Sequence, residues 1–302
     1  MQLSGVRFRV LTVASASVVV TALSGVFAPS VDAAPANWAP AADAAIRPGV
    51  LIETPGAGAC TANFVFTRGD RVYIGQAAHC AAQGSSGDTD GCRSQSLPLG
   101  TEVTIHAADG SNRTGSLAYS SWIAMREAGE TDADACAYND FALIEIGSGD
   151  VGDVNPSVPH FGGPVGIDDD GTSAGELVFS YGNSPLRLGF DELNPKWGVA
   201  LGDVGGGWSH NVYTMTPGVP GDSGSAFLDS DGEAIGVLST LNFSPFPGSN
   251  GVSDLAAVVN YARSHGFDGL RMVPGTERFN PSPPGFELPD LSELPQLSVL
   301  SR

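Results

Sequence analysis

The sequence predicts an all-β chain of short antiparallel strands closed by one C-terminal α-helix. Of its 302 residues 40 are Gly and 21 are Pro, so chain reversals are frequent, and 42% are hydrophobic, enough for a real core. Runs rich in β-branched and aromatic residues recur between turn signals. Only one segment of the mature chain carries helical spacing with start and stop signals.

The N-terminus is set aside first. Arg7 and Arg9 precede a mostly apolar run from Val10 to Phe27, diluted by Ser, Thr and Gly and followed by small residues. This reads as a secretory signal peptide over residues 1–34, with cleavage after Ala33 or Ala34 or at the A-x-A pattern ending at Ala36. Residues 35–47 are Ala/Pro-rich and read as a loose leader or short pro-segment.

From residue 48 the text becomes strand-like. Val50-Leu-Ile, Cys60-Thr-Ala-Asn-Phe-Val-Phe and Arg71-Val-Tyr-Ile-Gly are β-rich, the last two flanking the turn Thr67-Arg-Gly-Asp70 as a hairpin. Glu102-Val-Thr-Ile-His106 alternates, and Phe141-Ala-Leu-Ile-Glu-Ile146 reads as a buried strand. Glu176-Leu-Val-Phe-Ser-Tyr181 opens a second β-rich half. There Ser225-Ala-Phe-Leu228 and Glu233-Ala-Ile-Gly-Val-Leu238 flank the tight-turn pair Asp231-Gly232. The helix starts with Asp254 as N-cap of Leu255-Ala-Ala-Val-Val-Asn-Tyr-Ala-Arg and closes at Gly266. Residues 272–302 hold Pro274, Pro281, Pro283, Pro284, Pro289 and Pro295, the mark of a linker-like tail.

Charge and cysteines narrow the class. A net charge of −19 repels phosphate backbones and anionic membranes, so neither nucleic acid nor, once the signal is removed, a membrane is an expected partner. Lys196 is the one lysine. Cys60, Cys80, Cys92 and Cys136 all follow the export signal, so two disulfides are expected; four cysteines allow three connectivities and spacing does not choose among them. No C-x-x-C pair is present, so no metal site is expected. The acidic turns Asp88-Thr-Asp-Gly91 and Asp168-Asp-Asp-Gly171 lack the closing Glu of an EF-hand and read as solvated turns.

Three motifs carry chemistry. In Gly221-Asp-Ser-Gly-Ser225 a serine flanked by glycines precedes a strand, and the N–H groups of Gly221 and Ser223 can converge beside its hydroxyl as an oxyanion site. A serine nucleophile needs a base. Among five histidines, His79 stands out in Gly75-Gln-Ala-Ala-His-Cys80, next to a cysteine that can anchor its loop. The base needs an orienting carboxylate, and Asp140 sits at the mouth of the buried strand that starts at Phe141.

In the order A-A-H-C, N-D-F-A-L-I, G-D-S-G-S, with wide separations, these motifs resemble the trypsin/chymotrypsin-like serine proteases of the secreted bacterial type, over about Val50 to Gly266. The resemblance implies two antiparallel six-stranded β-barrels, about 48–165 and 166–271, with His79, Asp140 and Ser223 as catalytic triad between them. It implies a Cys60–Cys80 disulfide around the histidine, and leaves Cys92–Cys136 as the second bridge. It makes Gly236-Val-Leu-Ser239 the substrate-pairing strand, with Ser239 supporting Asp140, and Gly251-Val252 a lining strand of the specificity pocket. The implied activity is hydrolysis of polypeptides by a secreted, extracellular, monomeric serine endopeptidase through an acyl-enzyme, without metal or cofactor.

The chain departs from that pattern in four places. Ser225 replaces the usual second glycine. The cysteine pair near the nucleophile is missing. No I-V-G-G follows a basic cleavage site, so activation by signal removal alone is expected and Asp222 needs an internal partner, for which Arg187 is a candidate. Pro217 stands at the pocket floor and Leu241 at its mouth, which points to small or medium apolar side chains in the substrate. Two alternatives stand beside the protease reading: an inactive protease-like binding module, and an esterase using Ser223, Asp254 and His265 in that chain order.

Overall fold

The structure, a computed structural model, describes residues 37–84 and 90–283. The expected signal peptide, Asp88 and the chain end after Pro283 lie outside the described residues.

The first half contains seven strands: β1 (Leu51–Thr54), β2 (Gly58–Thr61), β3 (Val65–Arg68), β4 (Arg71–Gln76), β5 (Glu102–His106), β6 (Asn112–Ser120) and β7 (Ala142–Ile146). They lie in the order β3-β4-β7-β6-β5-β1-β2. Because β2 and β3 follow each other in sequence, they act as one strand bent at residues 62–64. Its first half bonds β1, continued by Ala62 N–H to Val50 C=O (2.9 Å). Its second half bonds β4, continued by Asn63 N–H to Gly75 C=O (2.8 Å). The bend closes the sheet, and the expected six-stranded barrel results. Side chains alternate across it, so Ile52, Ile74, Val103, Ile105, Leu117 and Ile144 are all fully buried. Each such side chain stabilises by about 1.5–3 kcal/mol relative to exposure.

The second half has β8 (Leu177–Tyr181), β9 (Pro195–Val204), β10 (Ser209–Thr214), β11 (Ala226–Leu228), β12 (Ala234–Leu241) and β13 (Asn250–Asp254). They form a closed barrel in the order β10-β13-β12-β11-β8-β9, around Val178, Ala200, Val212, Phe227, Ile235, Leu238 and Val252.

Among the described residues three α-helices appear where one was expected. Helices α1 (Ser121–Ala128) and α2 (Ala133–Tyr138) lie between β6 and β7. Their signals are local: Gly129 takes the left-handed conformation that ends α1, and Asp132 accepts the Asp134 and Ala135 N–H groups that start α2. Helices of eight and six residues are too short to show a 3.6-residue period. In α3 (Leu255–Ser264) the period is visible: Leu255, Val258, Val259 and Ala262 are buried at i, i+3, i+4 and i+7. Asp254 caps it, with Oδ1 2.6 Å from Ala257 N, while Oδ2 lies 3.0 Å from Nε2 of buried His210. Among the described residues no helix is long and apolar enough to cross a membrane.

Both chain ends were expected to be loose, and the described parts of both are packed. In the leader, Ala44, Ala45 and Ile46 are buried, and Ala39 N–H donates to Val154 C=O (2.9 Å). In the tail, β14 (Arg271–Met272) pairs with β3, Asn280 N–H donates to Phe161 C=O (2.7 Å), and the Phe279 ring meets Phe179 at 5.6 Å. Asn155 joins the two ends, its Nδ2 donating to Ala39 C=O (2.7 Å) and Thr276 Oγ1 (2.8 Å). The proline-rich composition hid this because single aromatic and backbone contacts, not a periodic stripe, hold the segment. Phe279→Ala is expected to lower unfolding stability by about 2 kcal/mol, less than for a fully buried Phe, as read by urea denaturation.

Candidate active site

His79 lies in a short 3₁₀ turn (Ala78–Ala81) directly after β4. Ala77 and Ala78 have no exposed surface, so larger side chains there would push the turn away from its wall. Cys80 is bonded to Cys60 on β2, 20 residues earlier, a closure worth about 3 kcal/mol in the chain-entropy model. The turn therefore has one position.

A single carboxylate fixes both ring and backbone of this histidine. Asp140 Oδ2 lies 2.6 Å from His79 Nδ1, and Oδ1 accepts the His79 backbone N–H at 2.8 Å. Ser239 Oγ donates to Oδ2 at 2.6 Å. Ser239 reaches it because the β12–β13 register shifts between Leu238 and Thr240, leaving Ser239 as the bulged residue; a bulge re-aims a side chain in this way. With a carboxylate at Nδ1 the proton belongs on Nδ1, and Nε2 keeps its lone pair.

Both groups titrate away from their ordinary values. Burial pulls the His79 imidazole down, but the charge and hydrogen bond of Asp140 outweigh it, and the net direction is up. Burial pushes the Asp140 carboxyl up, yet His79, Ser239 and the His79 N–H together hold it below the usual carboxylate range.

Asp140 is itself held. Ser121, at the start of α1, donates its hydroxyl to Asn139 C=O (2.7 Å) and accepts the Phe141 N–H (3.1 Å), clamping the residue on each side. Four residues upstream, Cys136 is bonded to Cys92.

Ser223 comes from the other barrel. Its loop is bent at Gly221 (φ +98°) and Gly224 (φ +90°), conformations that favour glycine. A Cβ on Gly224 would lie 2.5 Å from Thr61 C=O, so this loop meets the first barrel at backbone distance. Thr61 N–H donates to Ser223 C=O (2.8 Å), Thr61 Oγ1 to Gly221 C=O (2.8 Å), and Asn63 Nδ2 to Gly224 C=O (3.0 Å). Two peptide planes in the loop are also oriented. Pro220 C=O accepts from Ser184 Oγ (2.6 Å), and Asp222 C=O accepts from Ser225 Oγ (2.5 Å) and Ser225 N–H (3.0 Å). In a trans peptide the N–H opposes the C=O, so the N–H groups of Gly221 and Ser223 point the opposite way from these inward carbonyls. Ser225, a departure from the family pattern, thus ties the loop to itself.

Asp222 is fully buried and meets two cations, Arg187 and Lys196, the latter at 3.3 Å. Arg187 was anticipated; Lys196 was not, although it is the only lysine and is fully buried. Burial pulls the Lys196 ammonium down, Asp222 pulls it up and Arg187 pulls it down again, to about 8. Gly182 permits this approach, since a Cβ there would lie 2.2 Å from both Asp222 Oδ1 and Lys196 Nζ.

His79, Gly221, Ser223, Ser239 and Leu241 line one cleft of about 500 Å³ between the barrels. Two expectations fail. Pro217 is exposed, with its carbonyl toward Arg187, and is not the floor. Gly251 is not among the residues lining the cleft; a Cβ there would lie 2.4 Å from Thr240 Oγ1. Asn250, fully buried behind the lining residues Gly218 and Thr240, is bonded to both. The esterase set is not assembled either: Asp254 serves Ala257 N–H and His210, while His265 bonds Tyr261 C=O at 2.9 Å.

The fold has solved relatives. Protease A of Thermobifida fusca is similar at 17% identity and a TM-score of 0.47, covering 77% of this chain and 100% of that one. Nocardiopsis protease is similar at 19% and 0.45, covering 75% and 98%, and Cellulomonas bogoriensis chymotrypsin at 17% and 0.44, covering 76% and 99%. The chain is structurally similar to bacterial trypsin/chymotrypsin-like serine proteases. No family model and no curated protein sequence matches it.

By NMR titration the His79 imidazole is expected to have a midpoint above 6.5, and in Asp140→Asn, where burial acts unopposed, a midpoint below it. Asp222→Asn strands two buried cations and is expected to cost roughly 3–5 kcal/mol in denaturant unfolding.

Proposed function

We propose that the chain is a secreted serine endopeptidase with His79, Asp140 and Ser223 as its catalytic triad. The observation that carries this is the double hold of Asp140 on His79, in the same cleft as a serine on a glycine-bent loop. Ser223 Oγ attacks the peptide carbonyl while His79 Nε2 takes its proton. Asp140 keeps the Nδ1–H tautomer and stabilises the imidazolium, and His79 then returns the proton to the leaving amine. The Gly221 and Ser223 N–H groups bind the oxyanion; each such donor is typically worth about 100- to 1,000-fold in rate. Water, activated by the same His79, releases the acyl group.

Asp222 finds its counter-charges in Arg187 and Lys196, both internal, which supports a loop formed without a newly cut N-terminus. Export is supported by the N-terminal sequence pattern and by two disulfides. The acidic surface favours a soluble monomer acting on polypeptides rather than on nucleic acid.

A fluorophosphonate probe is expected to label Ser223 in the wild type and to label neither Ser223→Ala nor His79→Ala, with the modified peptide identified by mass spectrometry. A folded wild type that takes no label would sink the assignment. Because the base acts as neutral imidazole, kcat/KM is expected to rise with pH through a value above 6.5 and to fall away below it.

A further inference from the structure

Asn250 is a buried carboxamide beside the cleft, and a group of that kind needs partners. It has three. Oδ1 accepts the Gly218 N–H at 2.8 Å, and Nδ2 donates to Gly218 C=O at 3.1 Å and Thr240 C=O at 3.0 Å. One acceptor meeting an N–H and two donors meeting carbonyls fix which way the amide faces.

Its position gives this amide a consequence. Residues 218–221 and 238–241 form two walls of the cleft, with Ser223 between them. Asn250, paired with Leu241 across β12 and β13, stands behind both walls and bonds one residue of each. The packing there is complete: a Cβ on Gly218 would lie 2.4 Å from Leu238 Cδ1 and 2.9 Å from Asn250 Nδ2. With its carbonyl oxygen toward the Gly221 and Ser223 N–H groups, the acyl residue of a substrate sends its side chain between these walls.

We propose that Asn250 is the specificity-determining residue of this cleft, closing the slot beside Ser223 so that the chain cleaves after Gly, Ala and Ser. The proposal rests on Ser223 being the nucleophile. Charged side chains are excluded as well as long ones. Both Asn250 N–H donors are already used, and among the described residues the cleft lining holds no Asp, Glu, Lys or Arg to pair a charge.

The test is a peptide series varying only the residue on the carbonyl side of the cleaved bond, with fluorophosphonate titration of active sites in the same samples. The wild type is expected to favour Ala over Leu, Phe, Lys and Glu by about 10-fold or more in kcat/KM. Asn250→Gly is expected to raise Leu relative to Ala by about 10-fold. A labelled wild type that cleaves after Leu, Phe or Lys as well as after Ala overturns the role of Asn250 and leaves Ser223 standing. An unlabelled wild type overturns Ser223, and Asn250 with it. A folded Asn250→Gly whose Leu-to-Ala ratio equals that of the wild type overturns the role of Asn250; should Asn250→Gly fail to fold, Asn250→Ala is read in the same way.

Discussion

Thr61 is the point at which the two barrels share one set of hydrogen bonds. Its N–H holds Ser223 C=O, its hydroxyl holds Gly221 C=O, and the same hydroxyl accepts the Asn183 N–H. His79 and Asp140 belong to the first barrel, Ser223 and Ser239 to the second. No element contains the site; it exists only because a glycine-bent loop of one barrel lies on the bent β2–β3 strand of the other. That bend therefore does two things: it closes the first barrel, and it presents Thr61 and Asn63 to the loop. Gly224 admits the contact because any Cβ there would strike the Thr61 carbonyl.

Charge is placed with the same economy. The chain is strongly acidic, yet its only lysine is buried against Asp222 together with Arg187. Burial first, and the neighbouring Arg187 after it, depress the Lys196 ammonium against the opposing pull of Asp222. A buried ion cluster of this kind is weak evidence for net stability, since desolvation opposes the attraction, but it is strongly directional. Here the direction matters, because Asp222 lies next to Ser223 and its carbonyl orients the Ser223 N–H. His210 does similar work at a distance from the cleft, linking Asp203 and the cap of α3 through one buried imidazole whose titration is raised by those two acids against the opposing effect of burial.

The walls at 218–221 and 238–241 carry no disulfide, because both disulfides lie in the first half of the chain. Asn250 supplies a non-covalent tie, with three hydrogen bonds between the 218 segment and β12. A strut made from a side chain occupies the space it braces, which a disulfide at the rim would not. In this chain the brace of the walls and the depth of the cleft are one feature.

The sequence by itself determined the all-β class, the strand segments other than β6, β9 and β10, the capped C-terminal helix and the candidate site residues His79, Asp140, Ser223 and Ser239. These were legible because turn chemistry, period-2 alternation and an N-cap are local, and because the three motifs are short and ordered. Arg187 was legible as a partner for Asp222, since a buried carboxylate demands a cation and few are present. Tertiary structure alone decided the rest. Thr61, Asn63, Ser121, Ser184, Lys196 and Asn250 act through single hydrogen bonds or ion pairs to residues distant in the chain, and such a contact leaves no periodic or compositional mark. Pro217 was misplaced for the same reason: counting back from Ser223 gives a position along the chain, whereas the floor of the cleft is set by which strand packs behind it. The short helices α1 and α2 and the docked tail were hidden because too few residues carry them, and their stability comes from what they touch.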